Sequence, residues 1–210
     1  MAYSTTDPSQ TQKVLGIIPA RYGSTRFPGK PLVMIGNKSM IRRVYEQSMK
    51  APSIDKVLVA TDDERIFSHV KDFGGNVIMT GPHHKSGTER CFEALQKLAA
   101  EGESWDIAVN IQGDEPFIDP DSIGKAVELL QHGRTHIATL AKQVTSREDL
   151  ENPNVVKVVF DSLQNALYFS RYPIPYMRNV TLSGLDDLSL HFKHVGLGGF
   201  IEVWPEVLVH

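Results

Sequence analysis

A chain of 210 residues, 41% hydrophobic and 22% charged, has the composition of a soluble globular protein with one sizeable core. A net charge of −3 argues against a nucleic-acid partner, and no apolar run approaches the roughly 18–20 residues of a membrane span. One cysteine excludes an intrachain disulfide and agrees with a cytoplasmic location.

In chain order, residues 1–12 are polar, lack an apolar stretch and read as a disordered tail. The apolar run 14–20 predicts a buried strand. It empties into Arg21-Tyr22-Gly23-Ser24-Thr25-Arg26-Phe27-Pro28-Gly29-Lys30, a loop with three cations and no acid. Arg21, Arg26 and Lys30 beside flexible backbone suit a polyphosphate, the guanidiniums gripping oxygen pairs and the lysine adding a point charge. A solvated basic turn is the alternative. The loop is not a P-loop: Gly23 and Gly29 enclose five residues, and Pro31 after Lys30 has no hydroxyl for a metal. From 13 to 50 there are eight basic residues against the single acid Glu46, a local excess of about +7.

A helix is predicted over 39–49, with Met40, Ile41, Val44, Tyr45 and Met49 on one face. Strands follow over 56–60, 76–80, 107–111, 137–141 and 155–160. A second helix covers 88–100, with Ser86 or Thr88 as its cap and Cys91 in the core. A third follows Pro120 through about Gln131. Strands alternating with crossover helices predict an α/β, Rossmann-like, mostly parallel sheet, with ligands beyond the carboxyl ends of the strands. From 166 to 194 the chain is rich in Tyr, Phe, Pro and Arg. With no linker before it, about 162–194 reads as a small β-rich excursion from a single domain spanning 13–210.

Asp114, in Gln112-Gly113-Asp114-Glu115-Pro116, sits just past a strand, where a carboxylate can hold Mg²⁺ against a nucleotide phosphate; a solvated turn is the alternative. Ser86-Gly87-Thr88-Glu89-Arg90 is a helix cap, or a place where a flat base packs on glycine and exposed amides read its edge. His83-His84 reads as a surface loop, because adjacent histidines point apart in most geometries. Arg171 can clamp a carboxylate bidentately; an edge-strand arginine and, for His194, a satisfied core histidine are the plainer readings.

Five segments in order resemble the sugar-activating nucleotidyltransferases of the 3-deoxy-manno-octulosonate (KDO) cytidylyltransferase family. They are Ile17 through Leu32, Val59-Ala60-Thr61-Asp62, Lys85 through Arg90, Asn110 through Pro116, and Ala166 through Arg171 with Pro173-Ile174-Pro175. The resemblance runs from about Val14 to Gly196. It implies a nucleotide-diphospho-sugar transferase fold and transfer of a cytidylyl group from CTP to KDO, for lipopolysaccharide biosynthesis, with Mg²⁺ as cofactor. It further implies Ala20, Arg21, Arg26, Lys30, Ser86, Gly87 and Arg90 at the nucleotide, Gln112, Arg171 and His194 at the sugar, Asp114 at the metal, and a homodimer.

The pattern departs late in the chain. Where the family has a histidine followed by two aromatics, this chain has His194, Gly198 and Phe200. The family then continues to a second metal aspartate in a Val-Asp-Thr-Pro-like turn, whereas this sequence reaches His210 without it. The expectation is a truncated or divergent member with slow turnover, unless Glu202 or Glu206 substitutes. A nucleotide-sugar glycosyltransferase and a non-catalytic nucleotide-binding homologue are the rival readings.

Overall fold

The computed structural model describes residues 12–23, 27–131, 135–178 and 188–201. Of these, residues up to Ala138 and from Leu197 onward form one compact unit, and Thr139 to Gly196 form another.

The first unit is built on strands β1 (Val14–Ala20), β4 (Lys56–Thr61), β5 (Val77–Met79) and β6 (Ile107–Asn110). They run parallel in the order β5-β4-β1-β6. A short hairpin, β2 (Met34–Ile35) and β3 (Lys38–Ser39), follows a 3₁₀ turn at Lys30–Leu32. The parallel strands are continuous apolar runs because helices cover both faces, so alternate residues all need burial. Leu15 and Ile17 of β1 face one way, packing with Leu58, Ala60, Ala108 and with Cys91, Ala94 and Leu98 of α3 (Gly87–Ala100). Gly16 faces the other way, where an added Cβ would come within 2.9 Å of Ile54. Cys91 is fully buried, and burial pushes its thiol far above the ordinary range, so it is a packing residue and not a nucleophile.

Helix α1 (Met40–Ser48) buries Ile41, Val44, Tyr45 and Ser48. Met49, expected on that face, lies just past the end of the helix and is exposed. Ser39 caps α1, accepting from the Arg42 N–H, and its hydroxyl also meets His69 Nε2 at 2.7 Å. His69 belongs to α2 (Glu64–Asp72), a helix that the periodicity did not indicate. Only Ile66 and Val70 of α2 are fully buried, and Asp63 caps it by accepting from the Arg65 N–H. Helix α3 begins at Gly87 with Ser86 as its cap, and Cys91, Ala94 and Leu98 form its buried apolar stripe. Helix α4 (Pro120–Gln131) matches its expected span.

Strand β7 (Ile137–Gln143) leads into the second unit, which holds α5 (Arg147–Glu151), β8 (Lys157–Phe160), β9 (Ala166–Ser170) and the first half of β10 (Phe192–Ile201). Here β8 pairs antiparallel with both β9 and β10. The β-rich stretch expected over about 162–194 lies inside this unit, which begins earlier, at Thr139. The last residues of β10 return to the first unit and pair antiparallel with β6, from Gly198 opposite Asn110 to Ile201 opposite Ile107. Among the described residues no helix is long and apolar enough to cross a membrane.

Candidate active site

The carboxyl ends of β1 and β6 and the start of α3 meet at Pro19. A Cβ on Gly87 would lie 3.0 Å from Pro19 Cγ, and one on Gly113 would lie 3.0 Å from the Pro19 carbonyl oxygen. Side-chain-free residues at both positions therefore let two loops close on the end of β1. This brings Ala20 and Arg21, Ser86 and Gly87, and Gln112, Gly113 and Asp114 to one end of the sheet, where an open parallel sheet places its ligand. Replacing Gly113 by valine should cost about 2 kcal/mol or more, because backbone stands where the branched side chain would go. A urea unfolding curve checks it.

The basic loop is closed at its root. Gly29, at φ 71°, donates its N–H to the Tyr22 carbonyl at 2.9 Å and lies against the Tyr22 ring. The other partner of that ring is the Arg65 guanidinium, 3.2 Å from the ring centre and anchored to Asp63 at 2.6 Å. Tyr22 and Arg65 were not singled out in the sequence; a lone Tyr-Gly and a helix-start arginine carry no signal at that level. Arg21 is exposed and makes no hydrogen bond or ion pair among the described residues, whereas Arg26 lies outside them.

Lys30 connects the two motifs. Its Nζ meets Asp114 Oδ2 at 2.6 Å across 84 residues of sequence, with the two side chains 38% and 49% exposed. So open an ion pair is worth about 0–1 kcal/mol and exchanges partners readily. Next to it, burial and then the Asp114 charge raise the Glu115 carboxyl above its ordinary value. Adjacent hard carboxylate oxygens, one paired only with a displaceable lysine, fit a divalent cation.

Ser86 is exposed, and its hydroxyl accepts from the Glu89 N–H at 3.1 Å. Arg90 points inward. Only 3% exposed, it bonds Thr80 Oγ1 at 2.5 Å and the Gly81 carbonyl at 3.3 Å and pairs with Asp62 at 3.2 Å. It thus ties the exits of β4 and β5 together beneath the loop that its helix begins. Asn110, at the end of β6, donates to Thr88 Oγ1 at 3.5 Å, while its buried side-chain oxygen has no partner among the described residues.

Arg171 and His194 lie in the second unit. Arg171 is exposed and donates one guanidinium N–H to the Pro153 carbonyl at 2.8 Å, leaving other donors of its fork for a ligand. His194 Nε2 lies 2.7 Å from Thr139 Oγ1, and its ring meets Phe169 edge-on with centres 5.3 Å apart. Burial lowers its pKa, keeping the imidazole neutral at pH 7. The unfolded chain therefore takes up this proton first on acidification, and the stability held above the ordinary imidazole range should fall as pH drops through about 6.5. His194→Gln should flatten that part of the pH–stability curve, measured by urea midpoints between pH 7.5 and 5. The side chain of Phe200, and all of Glu202 and Glu206, lie outside what the structure describes, while Gly198 has no side chain to take the place of the family's first aromatic.

Residues 15–197 match the family profile described as Cytidylyltransferase. The 3-deoxy-manno-octulosonate cytidylyltransferase of Bacteroides thetaiotaomicron is 50% identical over 199 residues, covering 93% of this chain and 78% of its own. That of Thermodesulfovibrio yellowstonii is 48% identical over 187 residues, covering 88% and 73%. A solved CMP:2-keto-3-deoxy-manno-octonic acid synthetase complexed with CTP superposes with a TM-score of 0.80 at 41% identity, over 90% of this chain and 74% of that one. A 4-diphosphocytidyl-2C-methyl-D-erythritol synthase, at 16% identity and TM-score 0.57, shares the fold. On these matches across most of its length, the chain belongs to the 3-deoxy-manno-octulosonate cytidylyltransferase family.

Proposed function

We propose that this chain transfers the cytidylyl group of CTP to the anomeric hydroxyl of KDO, giving CMP-KDO and diphosphate. The observation that carries the reading is the 2.6 Å contact between Lys30 and Asp114, which joins a triphosphate-type loop to a metal-type carboxylate at the carboxyl end of a parallel sheet. The names of the relatives supply the substrates.

In this reaction the sugar hydroxyl oxygen forms a bond to the α-phosphorus and gives up its proton to solvent, and the bond from that phosphorus to the bridging oxygen of diphosphate breaks. The protein's share is positioning and charge neutralisation. Arg21, Arg26 and Lys30 hold the triphosphate and neutralise the departing diphosphate. Ala20, Ser86 and Gly87 line the nucleotide, and Arg90 positions their loop from beneath. Asp114, with Glu115 beside it, would hold Mg²⁺, which when bound supplies positive charge at the phosphates. Gln112 is assigned to the sugar, as are Arg171 for the sugar carboxylate and His194 as a neutral hydrogen-bonding partner. The reading makes this a cytoplasmic enzyme.

Diphosphate release tests the reading. CTP, KDO and Mg²⁺ together should yield one diphosphate per CMP-KDO, and omission of either substrate should stop it. Release that needs a nucleotide sugar in place of CTP, or none under any pairing, overturns the proposal. Lys30→Ala should weaken CTP binding by about 1.5–3 kcal/mol while changing CMP binding little, since its charge serves the outer phosphates. Calorimetric titration of both nucleotides checks this, and equal losses would place Lys30 elsewhere.

The second unit supports a homodimer. Leu167, Tyr168 and Phe169 on β9, with Tyr172 and Tyr176 nearby, are all exposed, more apolar surface than one strand of a monomer usually leaves open. Light scattering after size exclusion should give twice the 23.4 kDa chain mass, and Tyr168→Glu with Leu167→Glu should shift it to one.

A further inference from the structure

Away from the strand-exit site, His83, His84 and Glu93 place three metal-type ligand atoms within 4.8 Å of one another, the one such group among the described residues. The adjacent histidines do not point apart, as expected from their spacing: their ring centres are 4.5 Å apart, tilted by 42°. Glycine makes this arrangement possible. A Cβ on Gly81 would lie 2.6 Å from His83 Nδ1 and 2.4 Å from Cε1, so the imidazole occupies the space that any side chain at 81 would fill. The Gly81 N–H also donates to Glu93 Oε2 at 2.8 Å.

The carboxylate is held from three sides. Glu93 Oε2 accepts from Gly81 and meets His84 Nε2 in a short contact, while Oε1 pairs with Lys97 at 3.0 Å. Lys97 is in turn fixed on the Met79 carbonyl at 2.7 Å. His84 Nδ1 lies 3.9 Å from Glu89 Oε2. His83, by contrast, is exposed and makes no hydrogen bond among the described residues. A helix cap accounts for Ser86 and Glu89, but not for an unbonded imidazole packed on a second imidazole beside a carboxylate. Two nitrogen donors and one carboxylate oxygen form the donor set of a three-ligand zinc site with an open fourth position, and they discriminate against Mg²⁺, which wants oxygen alone.

We propose that His83, His84 and Glu93 bind a borderline first-row dication, represented by Zn²⁺, separate from the hard-cation site at Asp114. The ion takes the place of the contact between His84 and Glu93, and His83 swings onto it as third ligand. Residues 81–86 lead directly into the Ser86-Gly87 start of α3, so occupancy would fix the conformation of that loop from one side.

Zinc titration of the whole protein in excess Mg²⁺ tests the assignment, with Co²⁺ as a spectroscopic stand-in. The expected result is uptake of one Zn²⁺ that Mg²⁺ does not displace, with visible Co²⁺ absorption of a four- or five-coordinate site. His83→Ala, at an exposed position, should lower the affinity at least tenfold and remove that absorption, and Glu93→Gln should do the same while circular dichroism remains native. Absence of uptake overturns the proposal, as does uptake that both variants leave unchanged.

Discussion

Replacing Asp114 by asparagine lowers Mg²⁺-dependent diphosphate release by roughly a thousandfold or more, and leaves the fold intact. Asp114 gives up only a half-exposed ion pair with Lys30, worth about 0–1 kcal/mol, so the melting temperature barely moves. The amide retains the shape of the carboxylate but loses the charge that recruits a hard cation. Initial rates across a wide Mg²⁺ range, beside a thermal melt, separate the outcomes. Near-native turnover in a folded variant would take the metal away from Asp114. A collapsed melting temperature would show that the pair with Lys30 carries more stability than its exposure allows.

Lys157→Met produces the largest loss of stability, roughly 3 kcal/mol or more. Lys157 is fully buried, and its ammonium donates to three carbonyls: Asn152 at 2.9 Å, Val155 at 2.7 Å and Arg171 at 2.7 Å. Methionine fills the volume, but it takes the shared ammonium donor away from three partly buried carbonyls at once. Burial, and then the nearby Arg171 charge, lower the lysine's pKa, which marks the strain of holding a cation there. Urea unfolding measures the loss. An apparent affinity for the sugar that weakens in parallel would show that the Arg171 carbonyl anchor also steadies its guanidinium. An unfolding midpoint within error of the parent would remove this lysine from the list of structural anchors.

The parallel half of the fold was legible because burial on both faces turns each strand into an apolar run, and because Ser86 and Pro120 mark helix starts. Helix α2 left no comparable trace, since only Ile66 and Val70 are fully buried and its cap, Asp63, reads as one more polar loop residue. Strand β10 was equally hidden. Glycines at 196, 198 and 199 lower strand propensity, yet at 199 a Cβ would come within 2.7 Å of the Leu130 methyl on α4 and push that leucine aside. Tertiary packing, not local preference, favours a small residue at 199. In the candidate site, the loop cations and Asp114 stood out by charge and position. Arg90 also stood out, but nothing in the sequence indicated that its guanidinium would be spent on Asp62, Thr80 and Gly81. The closeness of His83 to His84 depends on a glycine two residues earlier, which spacing alone does not reveal.

The return of β10 to β6 has a consequence for biosynthesis. The ladder from Gly198 opposite Asn110 to Ile201 opposite Ile107 joins residues that leave the ribosome some ninety codons apart. Until the later segment emerges, the growing polypeptide carries β6 as a bare edge, with Ile107 and Val109 beside open backbone hydrogen-bonding groups. The nucleotide-type loops are all translated by then, but the sheet beneath them is unfinished, and any pause in translation between codons 111 and 197 prolongs that exposure. Chaperone engagement should therefore be concentrated on nascent chains of that length window and should fade once the codons of β10 have been read.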